Sequence, residues 1–443
     1  MRKVLFLMLL VPGMLLAKNP QEAARPASGG LSGRWLVNTD IFGTTEYYRM
    51  ELKQEGEKLT GDFGGDKLEG TLKGNAIYFV AKDSEGGTDE VKGTVQSGTL
   101  TGTVVFTHPE DPAHPEIYKF KAELVPARRA GTPQRHEFVP TTFYRQFSAA
   151  NKPVLMIAPG DSVHTTTVDA GGTDEKSVAR VYGGNPETGP FYVETAVPGD
   201  TLVVHFTSVR LNRDWADSDD FLVGRAVDND LATKMKDLGK SVRWHLDAEH
   251  GVARPEKPAE HLKQYTVPLR PMLGCVAVAP SPSQAAPGTG DSGRYGGNMD
   301  FNEIVEGATV YLPVSVPGAL LYVGDGHALQ GDGELNGNAL ETSMEVVFTV
   351  DVIPGKRVPG PRAESATHIV AIGLAGSLDD AFREATANMA QWLTDKYKLT
   401  PSEVAQVLGS AAEYKVSEVA DRNAGIVLKI NKERLKALAS SEN

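Results

Sequence analysis

The chain has 443 residues and a formal net charge of −12, with 40% hydrophobic and 23% charged residues. That length suits two domains, or one large domain with an appended module, and the balance excludes wholesale disorder. The acidity, with no basic stripe to offset it, excludes nucleic acid as a partner, and a lone cysteine, Cys275, excludes an internal disulfide.

Arg2 and Lys3, the apolar run over 4–16 and the small residue Ala17 read as a signal peptide over 1–17. Its removal takes the formal charge to −14 (−12 minus 2). No later run is apolar enough for a transmembrane helix, so the expectation is an exported protein, periplasmic or extracellular, with no stable membrane insertion after cleavage. A polar linker over 18–30 follows. Short alternating runs separated by Gly-rich turns then predict strands over 47–54, 58–63, 67–73, 76–81, 91–96, 99–106 and 117–124, opened by Gly33-Arg34-Trp35. These form a small all-β, barrel-like meander module over 31–125.

Residues 126–140 read as a second linker, and a larger domain runs over 141–443. Its strand-like segments fall at 153–157, 163–168, 201–209, 274–278, 309–314, 319–323, 345–352 and 368–373. Helices are confined to the end. Ala381, Ala385, Met389 and Trp392 recur at helical spacing over 378–397, and Thr400-Pro401-Ser402-Glu403 starts a second helix. Two more strands are expected over 415–419 and 425–430. Residues 212–262, charged and carrying Trp215 and Trp244, read as an insertion or lid. The fold class is therefore β-rich α/β, a sandwich or barrel domain with C-terminal helices behind a small all-β module.

The densest chemistry lies in Gly324-Asp325-Gly326-His327-Ala328-Leu329-Gln330-Gly331-Asp332-Gly333-Glu334. One imidazole and three carboxylates are interleaved with glycines, which let backbone approach an ion or substrate closely. Asp325 and His327 are two apart, so on an extended chain they face the same side, as two ligands of one metal would. Gly296-Gly297-Asn298-Met299-Asp300 offers an amide and a carboxylate after a tight turn. Asp169 and Glu194 end apolar strands upstream. Cys275 is a rival nucleophile, but its apolar strand context, Leu273-Gly274-Cys275-Val276-Ala277, favours a buried thiol.

In order along the chain, Ala158-Pro159-Gly160-Asp161, Val168-Asp169-Ala170, Gly189-Pro190, Val193-Glu194, Gly274-Cys275, Gly296-Gly297-Asn298, Gly324-Asp325 with His327, Gln330-Gly331-Asp332-Gly333-Glu334 and Glu341-Thr342 resemble the acetamidase/formamidase family. The resemblance covers roughly residues 150–430. It implies a metal-dependent amidase that converts a small carboxamide to a carboxylate and ammonia, and a homo-oligomer. By position it implies Asp169, Asp325 and His327 as metal ligands, and Glu194, Glu334, Asp325 and His327 as catalytic groups. Asn298, Asp300 and Gln330 would contact substrate. Mixed imidazole and carboxylate ligands favour zinc, with calcium the alternative if His327 stands back from the ion. The competing class is a secreted, non-catalytic ligand- or carbohydrate-binding protein on a degenerate amidase fold.

Overall fold

The computed structural model describes residues 30–438, so the expected signal peptide and almost all of the expected first linker lie outside the described residues. Eight antiparallel strands close a barrel: β1 (Gly33–Ile41), β2 (Thr44–Glu55), β3 (Lys58–Phe63), β4 (Asp66–Lys73), β5 (Ala76–Lys82), β6 (Thr88–Gln96), β7 (Thr99–Thr107) and β8 (Glu116–Leu124). Each pairs with the next, and β8 returns to β1 with Trp35 opposite Leu124. Alternation sends Trp35, Val37, Met50, Leu52, Leu59, Phe79, Val91, Leu100 and Phe120 inward, where they fill the lumen. The expected strands are all present, and the run opened by Gly33 supplies the eighth.

The large domain is a sandwich of two sheets. A seven-stranded sheet has Leu321–His327 at its centre, flanked by Glu187–Val193 and Met272–Val278, the latter followed by Gly296–Asn298. A nine-stranded sheet includes Thr201–Leu211, Thr309–Pro313, Met344–Ile353, His368–Ala375 and Ala424–Asn431. Phe191, Leu273, Val276, Leu321 and Val323 of the first sheet meet Leu202, Val204, Phe206, Leu312, Val346 and Phe348 of the second in one buried core. The helix Leu378–Tyr397 covers the outer face of the larger sheet through Ala381, Ala385, Met389, Trp392 and Leu393. Ser377 caps it, and Thr400 and Glu403 form a reciprocal capping box for Pro401–Ala411.

The second linker needs correction. Arg135–Glu137 is an edge strand of the larger sheet, paired in parallel with Ser162–Thr166. The cause is Asp161, buried and held well below the usual carboxylate range, at about 2, because the His136, Arg129 and backbone N–H groups that hydrogen-bond it outweigh its burial. Arg129 donates to both of its oxygens at 2.8 Å, and the Gln134 N–H donates to Oδ1. These contacts tie residues 129–136 down.

The insertion is a four-stranded sheet, Trp215–Asp219, Ser241–Asp247, Val252–Pro255 and Val267–Pro268. Asp217 exchanges backbone hydrogen bonds with Glu341, so the inserted sheet is stitched to the motif-bearing segment. The barrel docks at the other end of the central strand. There Tyr47 packs with Tyr192, Leu320 and Tyr322, Ser281 donates to Glu46, and Arg34 pairs with the buried Asp200 at 2.5 Å. The strand Leu321–His327 has seven residues, so its ends stand roughly 20 Å apart along the extended chain.

Candidate active site

The site forms where three neighbouring strands end together. Leu321–His327 carries Asp325 and His327, Met272–Val278 carries Gly274 and Cys275, and Glu187 starts the third strand. Two glycines make room for three acids. A Cβ on Gly274 would lie 2.2 Å from Asp325 Oδ2 and 2.5 Å from Asp300 Oδ1, and one on Gly324 would lie 2.2 Å from Glu187 Oε2. Any larger residue at either position collides with a carboxylate. Three acids hold left-handed backbone at this one place: Asp300 (φ 43°), Asp325 (φ 50°) and Glu334 (φ 47°).

His327 is held by its neighbours in one tautomer. Gln330 donates its amide N–H to the carbonyls of Asp300 at 2.6 Å and Ser417 at 3.2 Å, which leaves Oε1 as the atom 2.9 Å from His327 Nδ1. Nδ1 therefore carries the proton and donates it to Gln330. Nε2 then faces Asp325 Oδ2 and Glu341 Oε1, each at 3.2 Å. Beyond His327, the segment loops out and returns. Ala328 N–H donates to Leu340 and Leu340 N–H to Leu329, so the stem of the loop is zipped by backbone bonds just short of Glu341.

Charge accumulates around this point without cationic relief. Among the described residues, no lysine or arginine forms an ion pair with Glu187, Asp300, Asp325, Glu334 or Glu341, all of them buried. Burial, reinforced by Asp325, holds the Glu187 carboxyl well above its ordinary range. Asp300 is raised by burial and then by Glu334 and Asp325. Burial pushes Glu341 up to about 7 against the opposing pull of His327. Glu418 rises to about 8 and Asp421 to about 6, each chiefly through burial. Burial works against a charged His327, but Glu341 and Asp325 outweigh it and raise its pKa. Buried, unpartnered atoms collect here too, among them both Glu187 oxygens, Asp300 Oδ1, Asp325 Oδ1, His327 Nε2 and Glu341 Oε2. Such atoms are costly unless a cation or protons satisfy them.

The residues present therefore fit a metal. Donor atoms of Asp325, His327 and Glu341 lie within 4.8 Å of one another, as do those of Asp300, His327 and Glu334. The first set uses the free Nε2 and is the better ligand group, since Nδ1 is engaged with Gln330.

Of the residues singled out in the sequence, Asp325, His327, Glu334, Asp300, Asn298 and Gln330 converge. Asn298 Nδ2 donates to Asp300 at 2.8 Å and to Asp421 at 2.6 Å, so it orients these acids. Glu194 requires correction. It follows the end of Glu187–Val193 that lies beside Leu321, because that strand runs antiparallel to Leu321–His327. The acid that this strand delivers to the site is Glu187, at its start. Asp169 is tied to the buried Arg213 at 2.7 Å and lies in neither candidate ligand group, in one of which Glu341 stands with Asp325 and His327. Cys275 is fully buried beside Glu187, and burial with the Glu187 and Asp325 charges raises its thiol far above the range of a nucleophilic thiolate. Glu187, Glu341, Glu418, Asp421 and Arg213 carried no role in the sequence reading. Only Glu341 had a signal, as part of Glu341-Thr342.

A cleft of about 740 Å³ leads from the surface to Glu341, lined by Asp169, Asn185, Trp215, Asp217, Asp219, Arg243 and Asn338. Trp215 is sandwiched by guanidinium groups, Arg213 at 3.4 Å and Arg243 at 3.7 Å from its ring centre.

Known proteins share this architecture. The profile of the Acetamidase/Formamidase family matches residues 283–421. An acetamidase of Mycolicibacterium smegmatis is 43% identical over 61 residues, 14% of this chain and 15% of that protein. A formamidase-named protein of Schizosaccharomyces pombe is 44% identical over 59 residues, 13% of this chain and 14% of its own. The aligned stretches thus span about a seventh of these curated relatives. Solved structures match more broadly. A predicted acetamidase/formamidase of Thermoanaerobacter tengcongensis superposes with a TM-score of 0.60 at 28% identity, covering 69% of this chain and 99% of its own. An acetamidase of Yersinia enterocolitica gives 0.59 at 27% identity, covering 68% and 93%. By fold, the large domain is of the class of these solved acetamidases. Residues 283–421 are thus similar to the acetamidase/formamidase family, and the large domain is similar in fold to solved acetamidases.

Proposed function

We propose that the protein is an exported, metal-assisted amidase that hydrolyses a carboxamide, formamide- or acetamide-like at its reacting end, to a carboxylate and ammonia. The observation that carries the metal is His327 Nε2, buried 3.2 Å from the carboxylates of Asp325 and Glu341 without a well-aligned hydrogen bond to either. Asp325, His327 and Glu341 would hold the ion, and mixed nitrogen and oxygen donors favour zinc. A bound divalent ion lowers the pKa of water and polarises a carbonyl.

The chain's own groups do the rest. Gln330 fixes the His327 tautomer. Glu334 Oε1 is pinned by the Ala339 N–H at 3.0 Å, which leaves Oε2 to accept a proton from the attacking water and pass it to the leaving nitrogen. Water oxygen bonds to the carbonyl carbon, the carbon–nitrogen bond breaks, and nitrogen departs as ammonia with that proton. Burial, with Glu341 and Asp325 nearby, raises the Glu334 pKa despite His327, which suits a group that must carry a proton.

Export rests on the Arg2-Lys3 start and the apolar run to Leu16. An N-terminus at Lys18 in the secreted protein would support it, and retention of Met1 would oppose it. The resemblance also underlies a proposed homo-oligomer, checked by light scattering.

Metal analysis tests the central reading, together with ammonia release from formamide and acetamide with and without a chelator. The wild type should carry about one zinc per chain, and His327→Ala and Glu341→Gln should lose it along with about 100-fold or more of kcat/KM. Full activity in metal-free protein would overturn the metal reading.

A further inference from the structure

The cleft is far larger than the reacting group of a small amide requires. Its 740 Å³ falls in the range of sites for drug-sized ligands, whereas formamide displaces only about two or three waters' worth of volume at ~30 Å³ each. Its lining is polar and rich in acceptors. Trp215 is the single aromatic residue among those lining it, and two guanidinium groups already cover that ring. An apolar amide would gain little here.

The charges of the lining are unequal. Asp169 is neutralised by Arg213 from beneath, and Asp217 by Arg243 at 2.6 Å and 3.1 Å. Asp219 has no ion pair among the described residues. It receives only the Asn338 amide at its carboxylate and the Asn336 amide at its carbonyl. It sits on the inserted strand Trp215–Asp219, two residues from Asp217, whose backbone is bonded to Glu341. Period-two alternation therefore puts Asp217 and Asp219 on the same face, in line with the metal-side carboxylate.

We propose that the inserted strand recognises the non-reacting part of the substrate, and that the substrate is a carboxamide bearing a cationic, donor-rich group, of the size of an amino-acid or dipeptide amide. Asp219 binds the cation while the amide carbonyl lies toward Glu341 and His327. This rests on the amidase reading above and adds the substrate class to it.

The test compares ammonia release from acetamide, hexanamide and 6-aminohexanamide by the zinc-loaded full chain. The latter two share the same carbon chain and differ only in the terminal ammonium. Wild type should favour 6-aminohexanamide over hexanamide in kcat/KM by about fivefold or more, as a half-exposed charge pair allows. The effect should lie in KM and weaken with salt. Asp219→Asn, which keeps shape and the Asn338 contact, should bring that ratio toward one. Turnover of acetamide with a wild-type ratio near one, or a ratio untouched by Asp219→Asn, would overturn this inference and leave the amidase reading standing. No turnover of any amide would overturn both.

Discussion

Three acids with left-handed backbone, Asp300, Asp325 and Glu334, stand within one cluster of like charge. Each such conformation costs of order 1–3 kcal/mol and persists only where its surroundings impose it. Asparagine tolerates the same backbone, so Asp325→Asn separates charge from conformation. The metal-free variant should melt no lower than metal-free wild type, because one repelling charge is gone, while zinc binding falls by at least tenfold. A thermal scan with a zinc titration reads both, and a clear drop in the metal-free midpoint would refute the idea. Gly274→Ala is expected to fail differently, with metal and activity lost together, since its Cβ enters the space of Asp325 and Asp300. Arg213 shows the reverse balance. It pairs with Asp169, donates to Thr342 Oγ1 and stacks on Trp215. Arg213→Met leaves Asp169 charged and without its cation, a loss of about 3 kcal/mol readable by denaturant titration.

Within the barrel, β6 and β8 are joined through Tyr118, whose hydroxyl donates to Asp89 at 3.2 Å. Burial raises the Asp89 carboxyl to about 6, despite that hydrogen bond. The folded state then holds its proton more tightly than the unfolded chain. This contribution is present below about pH 4 and is lost as pH rises toward 6. Asp89→Asn should therefore gain on wild type at pH 7, by on the order of 1 kcal/mol after allowance for partial solvent screening, and show no gain at pH 4. Equal differences at the two pH values would contradict the assignment. Most such elements were readable in advance. Alternation and Gly turns marked the barrel strands, and Thr400 with Glu403 marked a helix start that the structure shows as a capping box. The edge strand Arg135–Glu137 was not readable, because what orders it is Asp161, a residue 24 or more positions later in the chain. Composition alone made that stretch a linker.

At the scale of the molecule, the barrel and the acid cluster occupy opposite ends of the central strand. Arg34→Ala should cost about 2 kcal/mol by leaving the buried Asp200 without its cation, yet change kcat/KM by less than twofold. A large kinetic effect would mean that the barrel communicates with the site. Distance in sequence also explains what was missed. The wall running from Asp325 to Glu334 was legible because its residues are neighbours on the chain. The opposite wall depended on which end of Glu187–Val193 meets His327. Strand direction decides that, and an acid at either end looks alike in sequence. The zipped stem between Ala328 and Leu340 has one more consequence. Its backbone bonds set the spacing of His327 and Glu341 before any ion arrives, so the ion does not have to bear the entropy of loop closure. Chelation should thus behave as an off-switch: activity stops, the circular dichroism of the fold persists, and added zinc restores turnover without a refolding lag.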